Sequence, residues 1–385
     1  MKPTFGLFNE SYAPIIDGVA TVTKYYAEGL HKRGEEVCVV TPHKKGGNYG
    51  AYPYKVLDYA SIPIPGRKPY VAGLPWIDWS FQSQLGKIPF KLVHANSPFV
   101  SSSLCTKVAK KLGIPMVGSF HSKYRDDFEK QIPIKAIVDK TMDNMIKFYE
   151  RCDEVWVPEE SVIEVIREYG YKGPVEVMRN GTDLIGDYPD SFFADARAQF
   201  GVKEGELMLL YIGQHVWQKN LKLAIEALEL LKDLPYRMFF IGGGYAAEEM
   251  RQMVQEKGLA DKITFVGPVR DRALVTKYYA AADLFLFPSL YDTASLVMRE
   301  AASLRTPSVM IKGATTASVA TDNYDSFLTE NTPEAYAARI RDLFAHPEQI
   351  KKVGLQASTS LVRSWDSVVD EVLDRYNALI ARKSK

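Results

Sequence analysis

LMLLYIGQHVWQKNLKLAIEALELLKDLPYRMFFIGGG, residues 207–244, decides the fold class. Leu207–Ile212 is an unbroken apolar run of strand length, residues 220–231 read as a helix, and residues 238–241 return to an apolar run that ends on three glycines. Strand, helix, strand is a βαβ unit, and continuously apolar strands belong to a parallel sheet covered on both faces. Downstream the alternation continues. Helices are expected at 248–257, 272–281, 296–303 and 333–344, with strands at 263–266, 284–287 and 308–311 and a last helix over 365–380.

Upstream the same grammar appears. Phe5-Gly6-Leu7-Phe8 is a short strand, followed by a loop with Asp17-Gly18-Val19 and a helix over 22–32 that Gly34 ends. Val37-Cys38-Val39-Val40 is a β-branched strand, and further strands fall at 92–94, 115–118 and 154–157, with helices at 102–112 and 161–169. Turn-rich sequence from Arg179 to Asp190 then interrupts the alternation. The chain is therefore α/β, with one doubly wound domain over 1–187 and a second over 188–364. Two such sheets would face each other across a cleft at their strand C-terminal ends, where ligands of open α/β sheets bind.

With 385 residues the chain is long enough for two or three domains, and a net charge of +1 excludes a polyanion-binding surface over the whole molecule, so no nucleic-acid partner is expected. Cys38, Cys105 and Cys152 show neither disulfide nor zinc spacing, which suits a reducing cytoplasm. The first residues do not read as a signal peptide, and no apolar stretch reaches the length of a membrane span, so any membrane contact is expected to be peripheral, on the inner face.

Three strand-end loops carry the chemistry. Gly242-Gly243-Gly244 with Ala247 fits the dinucleotide fingerprint, but no acid closes the next strand, where Gly267-Pro268-Val269 stands. A tight turn beside a ligand is the better reading. Gly213-Gln214-His215-Val216-Trp217-Gln218-Lys219-Asn220 places a lysine where it can reach a diphosphate, or simply a solvated lysine at a helix start. The third loop, Phe287-Pro288-Ser289-Leu290-Tyr291-Asp292-Thr293-Ala294-Ser295-Leu296-Val297-Met298-Arg299-Glu300, runs from a strand into a helix. Free N–H groups at Ser295, Leu296 and Val297 suit an anion. Asp292 and Glu300 beside that anion would bind hydroxyls; otherwise they are a cap acid and a solvated helix acid.

These motifs resemble glycosyltransferase family 4, retaining enzymes of the GT-B fold with two Rossmann-like domains, and the similarity covers nearly the whole chain. The region after His121 further resembles bacterial diacylglycerol glycosyltransferases. The resemblance implies a nucleotide-sugar donor, UDP-glucose being the first expectation, and assigns Asp292 to the sugar hydroxyls and Glu300 to the ribose. Lys219 matches the family's phosphate lysine, whereas Gln214 stands at the position of its arginine; Arg299 and Arg305 are candidate substitutes, Arg305 standing where the family usually has glycine. Gly18 matches the glycine-rich loop and His121, in Ser119-Phe120-His121-Ser122, the strand-end histidine near the reacting sugar. Gly243, Val269, Thr293 and Ala294 complete the donor-binding set, Asn180-Gly181-Thr182-Asp183 matches a structural turn, and the helix over 365–385 is expected to cross back to the first domain. No Asp-x-Asp pair occurs, so no metal or other cofactor is expected. A degenerate nucleotide-binding protein or a sugar-nucleotide epimerase remains the alternative.

Residues 79–125 hold seven Lys or Arg and no Asp or Glu. Lys107, Lys110 and Lys111 share one helical face, with Lys123 and Arg125 further on and the Pro-rich stretch from Ile62 to Trp79, including Trp76, just before. Basic residues beside aromatics suit an anionic membrane surface, and hence a lipid acceptor such as diacylglycerol; a soluble hydroxyl acceptor with a merely solvated basic face is the other reading.

Overall fold

The computed structural model describes residues 2–65 and 69–384. Gly66, Arg67 and Lys68 of the Pro-rich stretch lie outside the described residues. The chain forms two compact units, one running to Asn180 and resuming at Trp365, the other spanning Gly181–Ser364.

In the first unit the order is β1 (Thr4–Phe8), α1 (Gly18–Lys32), β2 (Glu36–Pro42), β3 (Lys55–Tyr59), β4 (Ser61–Pro63), β5 (Val71–Gly73), α2 (Trp79–Leu85), β6 (Phe90–Ala95) and α3 (Val100–Leu112). There follow β7 (Met116–Ser119), α4 (Tyr124–Gln131), α5 (Lys135–Tyr149), β8 (Glu154–Val157), α6 (Ser161–Glu168) and β9 (Val175–Val177). Seven of these strands form one sheet in the order β3-β2-β1-β6-β7-β8-β9, all parallel, while β4 and β5 make a separate hairpin. Every residue of β1 is buried, as a strand with helices on both faces requires. The order reverses between β1 and β6.

The second unit contains α7 (Asp190–Gln199), β10 (Leu207–Ile212), α8 (Leu221–Glu229), β11 (Tyr236–Ile241), α9 (Ala247–Glu256), β12 (Ile263–Gly267) and α10 (Arg272–Ala281). It continues with β13 (Leu284–Phe287), α11 (Leu296–Ser303), β14 (Ser308–Ile311), β15 (Phe327–Thr329), α12 (Pro333–Ala345) and α13 (Pro347–Ser360). Its parallel sheet has the order β12-β11-β10-β13-β14-β15, so here the reversal falls between β10 and β13. Tyr211, Phe240, Phe285, Met310 and the helix residues Leu221, Tyr279 and Tyr336 form part of one core.

The last helix, α14 (Trp365–Lys383), belongs to the first unit. Gly29 of α1 faces it so closely that an added Cβ would lie 2.6 Å from Val369 Cγ2. Trp365 stacks on Tyr25 at 4.7 Å, and Lys32 and Arg33 pair with Asp366 and Asp370 at 3.0 and 2.7 Å. Deeper in, the fully buried His94 of β6 bridges α14 to β7: its Nδ1 is hydrogen-bonded to Tyr376 Oη at 2.5 Å and its Nε2 to Ser119 Oγ at 2.7 Å. Burial holds this imidazole well below its ordinary pKa, so it bridges as a neutral ring. Tyr376→Phe leaves one ring nitrogen buried without a partner. The expected loss is about 1–3 kcal/mol of first-unit stability in urea unfolding; an unchanged midpoint would show that the bridge contributes nothing net.

Candidate functional site

Ligands of open α/β sheets bind beyond the strand C-terminal ends where the strand order reverses. In the second unit that point lies between the loops after β10 and β13, which carry Lys219 and Asp292. After β10 the chain turns tightly. Gly213 N–H donates to Ile241 O and His215 N–H to Gly243 O, and Asn220, in the left-handed conformation (φ 58°), starts α8. Asn220 Nδ2 donates to Pro288 O at 3.2 Å and so ties this loop to the one after β13. There Ser289 Oγ accepts from the N–H groups of Tyr291 and Asp292, both at 3.3 Å.

Between the tied loops Lys219 Nζ donates to Asp292 Oδ1. The other carboxylate oxygen, Oδ2, is buried and has no hydrogen-bond partner among the described residues. One oxygen is thus held by a cation while the second is left to accept. A lysine expected at the phosphate and an aspartate expected at the sugar form one ion pair.

Ser295 is the N-cap of α11, but its side chain makes no cap bond to the first N–H groups of the helix. Thr293 and Ser295 are buried on this turn. One turn on, Glu300 is held from two sides: Oε1 accepts from Arg272 Nη2 at 2.9 Å and Oε2 from Tyr279 Oη at 3.0 Å. Burial pushes the Glu300 carboxyl up, and Arg272 pulls against that. Arg272 also forks onto Asp183, at 2.6 and 3.1 Å. Neither Arg272 nor Tyr279 stands out in the sequence, because they reach Glu300 from 28 and 21 residues away.

The glycine loop has its own explanation. A Cβ on Gly242 (φ 132°) would sit 1.9 Å from Gly213 O, and one on Gly244 2.2 Å from His215 O. Two strand-end loops crossing at van der Waals distance require those glycines, with no dinucleotide needed. Gly243 and Val269 flank the crossing on the loops after β11 and β12, and Gln214 is exposed. The arginines proposed to replace the missing charge are engaged elsewhere. Buried Arg299 donates to Leu361 O at 2.8 Å, and Arg305 pairs with Asp190 at 3.1 Å over the Phe193 ring. Arg305 has φ 60°, a conformation that glycine adopts at less cost.

His215 was legible only as a loop residue. It is buried among the rings of Tyr211, Phe240 and Phe265, and neither ring nitrogen has a hydrogen-bond partner among the described residues.

In the first unit Asp17 Oδ1 caps α1 by accepting from Ala20 N–H at 2.7 Å. Gly18 opens that helix, and an added Cβ there would meet nothing within 4 Å, so the backbone is approachable. His121 follows β7, and burial pushes its imidazole down to about 4, leaving it neutral near pH 7. At the β1/β6 reversal Glu10 Oε1 accepts from Ser101 N–H at 2.5 Å, while fully buried Asn96 has no partner for either amide atom among the described residues. No sequence motif marks Asn96; its place just after the strand expected at 92–94 is the signal the sequence offers.

On the surface of this unit Trp76, Ile77 and Trp79 are 50, 68 and 84% exposed, and Lys107 Nζ lies 5.1 Å over the Trp76 ring. Lys107, Lys110 and Lys111 are exposed on α3, and Lys123 is half-buried before α4. Arg125 does not extend this basic face: it pairs with Asp139 at 2.8 Å and Glu129 at 3.4 Å. The acids of the helices that follow neutralise it. Among the described residues no group of acids, histidines and cysteines could hold a metal, and no helix is long and apolar enough to cross a membrane.

Residues 16–185 match the model of Glycosyltransferase Family 4, and residues 192–359 that of Glycosyl transferases group 1. An alpha-monoglucosyldiacylglycerol synthase from Acholeplasma laidlawii is 23% identical over 90% of this chain and 88% of its own. A D-inositol 3-phosphate glycosyltransferase from Nocardiopsis dassonvillei is 25% identical over 77% of this chain and 72% of its own. Among solved structures, sucrose-phosphate synthase from Thermosynechococcus elongatus shares the fold with a TM-score of 0.84 at 20% identity, covering 99% of this chain and 100% of that one. Anabaena HepE in complex with UDP-glucose gives 0.79 at 15% identity, over 97% and 99%.

A buried histidine pushed from 6.5 down to about 4 resists protonation when folded but not when unfolded. It therefore lowers stability as pH falls from 6.5 to about 4. His215→Phe removes that dependence, worth on the order of 3 kcal/mol at the acid end. Thermal unfolding across this range should show a shallower acid limb in the variant; parallel limbs would mean the ring is protonated or hydrated in the folded protein.

Proposed function

Since the chain belongs to the glycosyltransferases of family 4 and group 1, we propose that it moves a hexose, glucose in the first instance, from a UDP-linked donor to an acceptor hydroxyl with retention and without a metal. One observation carries this reading: at the β10/β13 reversal a helix N-terminus whose N-cap side chain makes no cap, a lysine, and a carboxylate oxygen without a partner among the described residues stand on adjoining loops. Helix N–H groups and Lys219 suit a diphosphate, Asp292 Oδ2 suits a sugar hydroxyl, and Glu300 suits the ribose. With Gln214 in place of an arginine, the first N–H groups of α11 take a larger share of the phosphate charge.

In the proposed reaction the bond between the anomeric carbon and the diphosphate oxygen breaks, and the acceptor oxygen bonds to that carbon from the same face. The acceptor proton passes to the departing phosphate oxygen. Lys219 and the N–H dipoles stabilise the leaving charge, as prearranged donors do. Neutral His121, just after β7, serves as a hydrogen-bond partner for sugar or acceptor.

We place a lipid such as diacylglycerol first among acceptors, with the enzyme working on the inner face of a membrane. Supporting this are the exposed Trp76, Ile77 and Trp79 beside the Lys107, Lys110 and Lys111 face, and the similarity to a glucosyldiacylglycerol synthase. A soluble acceptor is the second reading, favoured by the internal pairing of Arg125.

Asp292→Ala should lower turnover by about a hundredfold while UDP affinity by calorimetry stays near the parent's; unchanged turnover would remove Asp292 from the sugar site. Reversing Lys107, Lys110 and Lys111 to Glu should weaken sedimentation with vesicles rich in anionic phospholipid by a hundredfold or more, at about 1 kcal/mol for each charge. Sedimentation at the parent level would favour the soluble acceptor, and a glycolipid product identified by mass spectrometry would establish the lipid.

A further inference from the structure

We propose that Arg272 is the positioning residue of the donor site: it fixes the Glu300 carboxylate in place and in its ionised form, by tying it to Asp183. The proposal rests on the reading of Glu300 as the ribose ligand. Three elements converge here, α10, α11 and the segment entering the second unit at Gly181. Arg272 is the first residue of α10, a helix whose N-cap Asp271 accepts from Ala273 and Leu274 N–H. From that fixed start the guanidinium spans two carboxylates. Its Nε and Nη2 fork onto Asp183 at 3.1 and 2.6 Å, and Nη2 also reaches Glu300 Oε1 at 2.9 Å. A planar fork holds such a bridge where an ammonium could not.

The arrangement has a chemical consequence. A carboxylate that accepts ribose hydroxyls must be ionised and unable to turn. Each oxygen of Glu300 already accepts one bond, from Arg272 or Tyr279, which fixes the plane of the group; each retains a lone pair for a hydroxyl. The groups facing it are Arg272, Tyr279 and Asp183, of which only Arg272 is a cation. Burial and the Asp183 charge push the Glu300 carboxyl up, and Arg272 and Tyr279 oppose them. Arg272 is no substitute for the phosphate arginine absent at Gln214, because two acids already take its charge.

The test is UDP binding by calorimetry on the full chain at about pH 8 and about pH 6. Arg272→Gln should weaken UDP about tenfold at the higher pH, where a charged hydrogen bond is lost, and more at the lower, because the cation that opposes protonation of buried Glu300 is gone. The loss should fall on the KM for the donor more than on kcat. Arg272→Lys, which keeps the charge without the fork, should recover the pH dependence but not the full affinity. In a Glu300→Ala background Arg272→Gln should add nothing further, since the arginine acts through the glutamate. Parent-like UDP affinity in Arg272→Gln would overturn the proposal. So would an equal loss at both pH values that persists in the Glu300→Ala background, the mark of a direct phosphate contact. Parent-like binding in Glu300→Ala alone would instead sink the ribose reading, and the two failures are separable.

Discussion

A parallel sheet covered on both faces has nowhere to put chemistry except beyond its strand ends. That constraint governs both units. Interior strand positions must be apolar or, like His94, fully hydrogen-bonded, because an unpaired polar group buried between sheet and helix loses more in dehydration than it recovers. The polar side chains that matter therefore gather where strands stop and neighbouring connections part. In the second unit this point receives Lys219 and Asp292; in the first it receives Glu10 and Asn96. The glycines at 242 and 244 answer the same constraint, since loops crossing at the strand ends leave no room for a side chain.

Within the second unit charge is shared rather than accumulated. Lys219 spends part of its charge on Asp292, and Arg272 divides its own between Asp183 and Glu300. Arg299 and Arg305, which sequence position alone would nominate for an anion, turn to a carbonyl and to Asp190. Among these residues, Lys219 and the start of α11 are left for the proposed diphosphate. A site of that kind binds through oriented dipoles as much as through net charge, and it responds to any change in the geometry of the turn from Asp292 to Val297.

Two buried polar side chains stand outside this economy. Neutral His215 sits in an aromatic cage with no side-chain hydrogen-bond partner among the described residues, and Asn96 lies at the β1/β6 reversal in the same condition. Each costs stability in the ligand-free chain. His94 shows the contrasting solution: an equally buried histidine whose two nitrogens are both satisfied, and which thereby fastens α14 to the first sheet.

The sequence by itself determined the strand and helix grammar of both halves, the strand-end loops at which the candidate site lies, and Lys219, Asp292 and Glu300 as its candidate residues. Those features are local: apolar runs, helical spacing and the residue types at a strand end. It could not decide partners. Lys219 meets Asp292 across 73 residues, and Arg272 meets Glu300 across 28, only because β10 lies beside β13 and α10 packs beside α11. The same holds for Arg125, basic in its own stretch yet neutralised by Asp139 on the next helix. Strand order sets which distant loops adjoin, and periodicity carries no record of strand order. The tertiary structure alone therefore settles which charges are paired and which acceptors remain open.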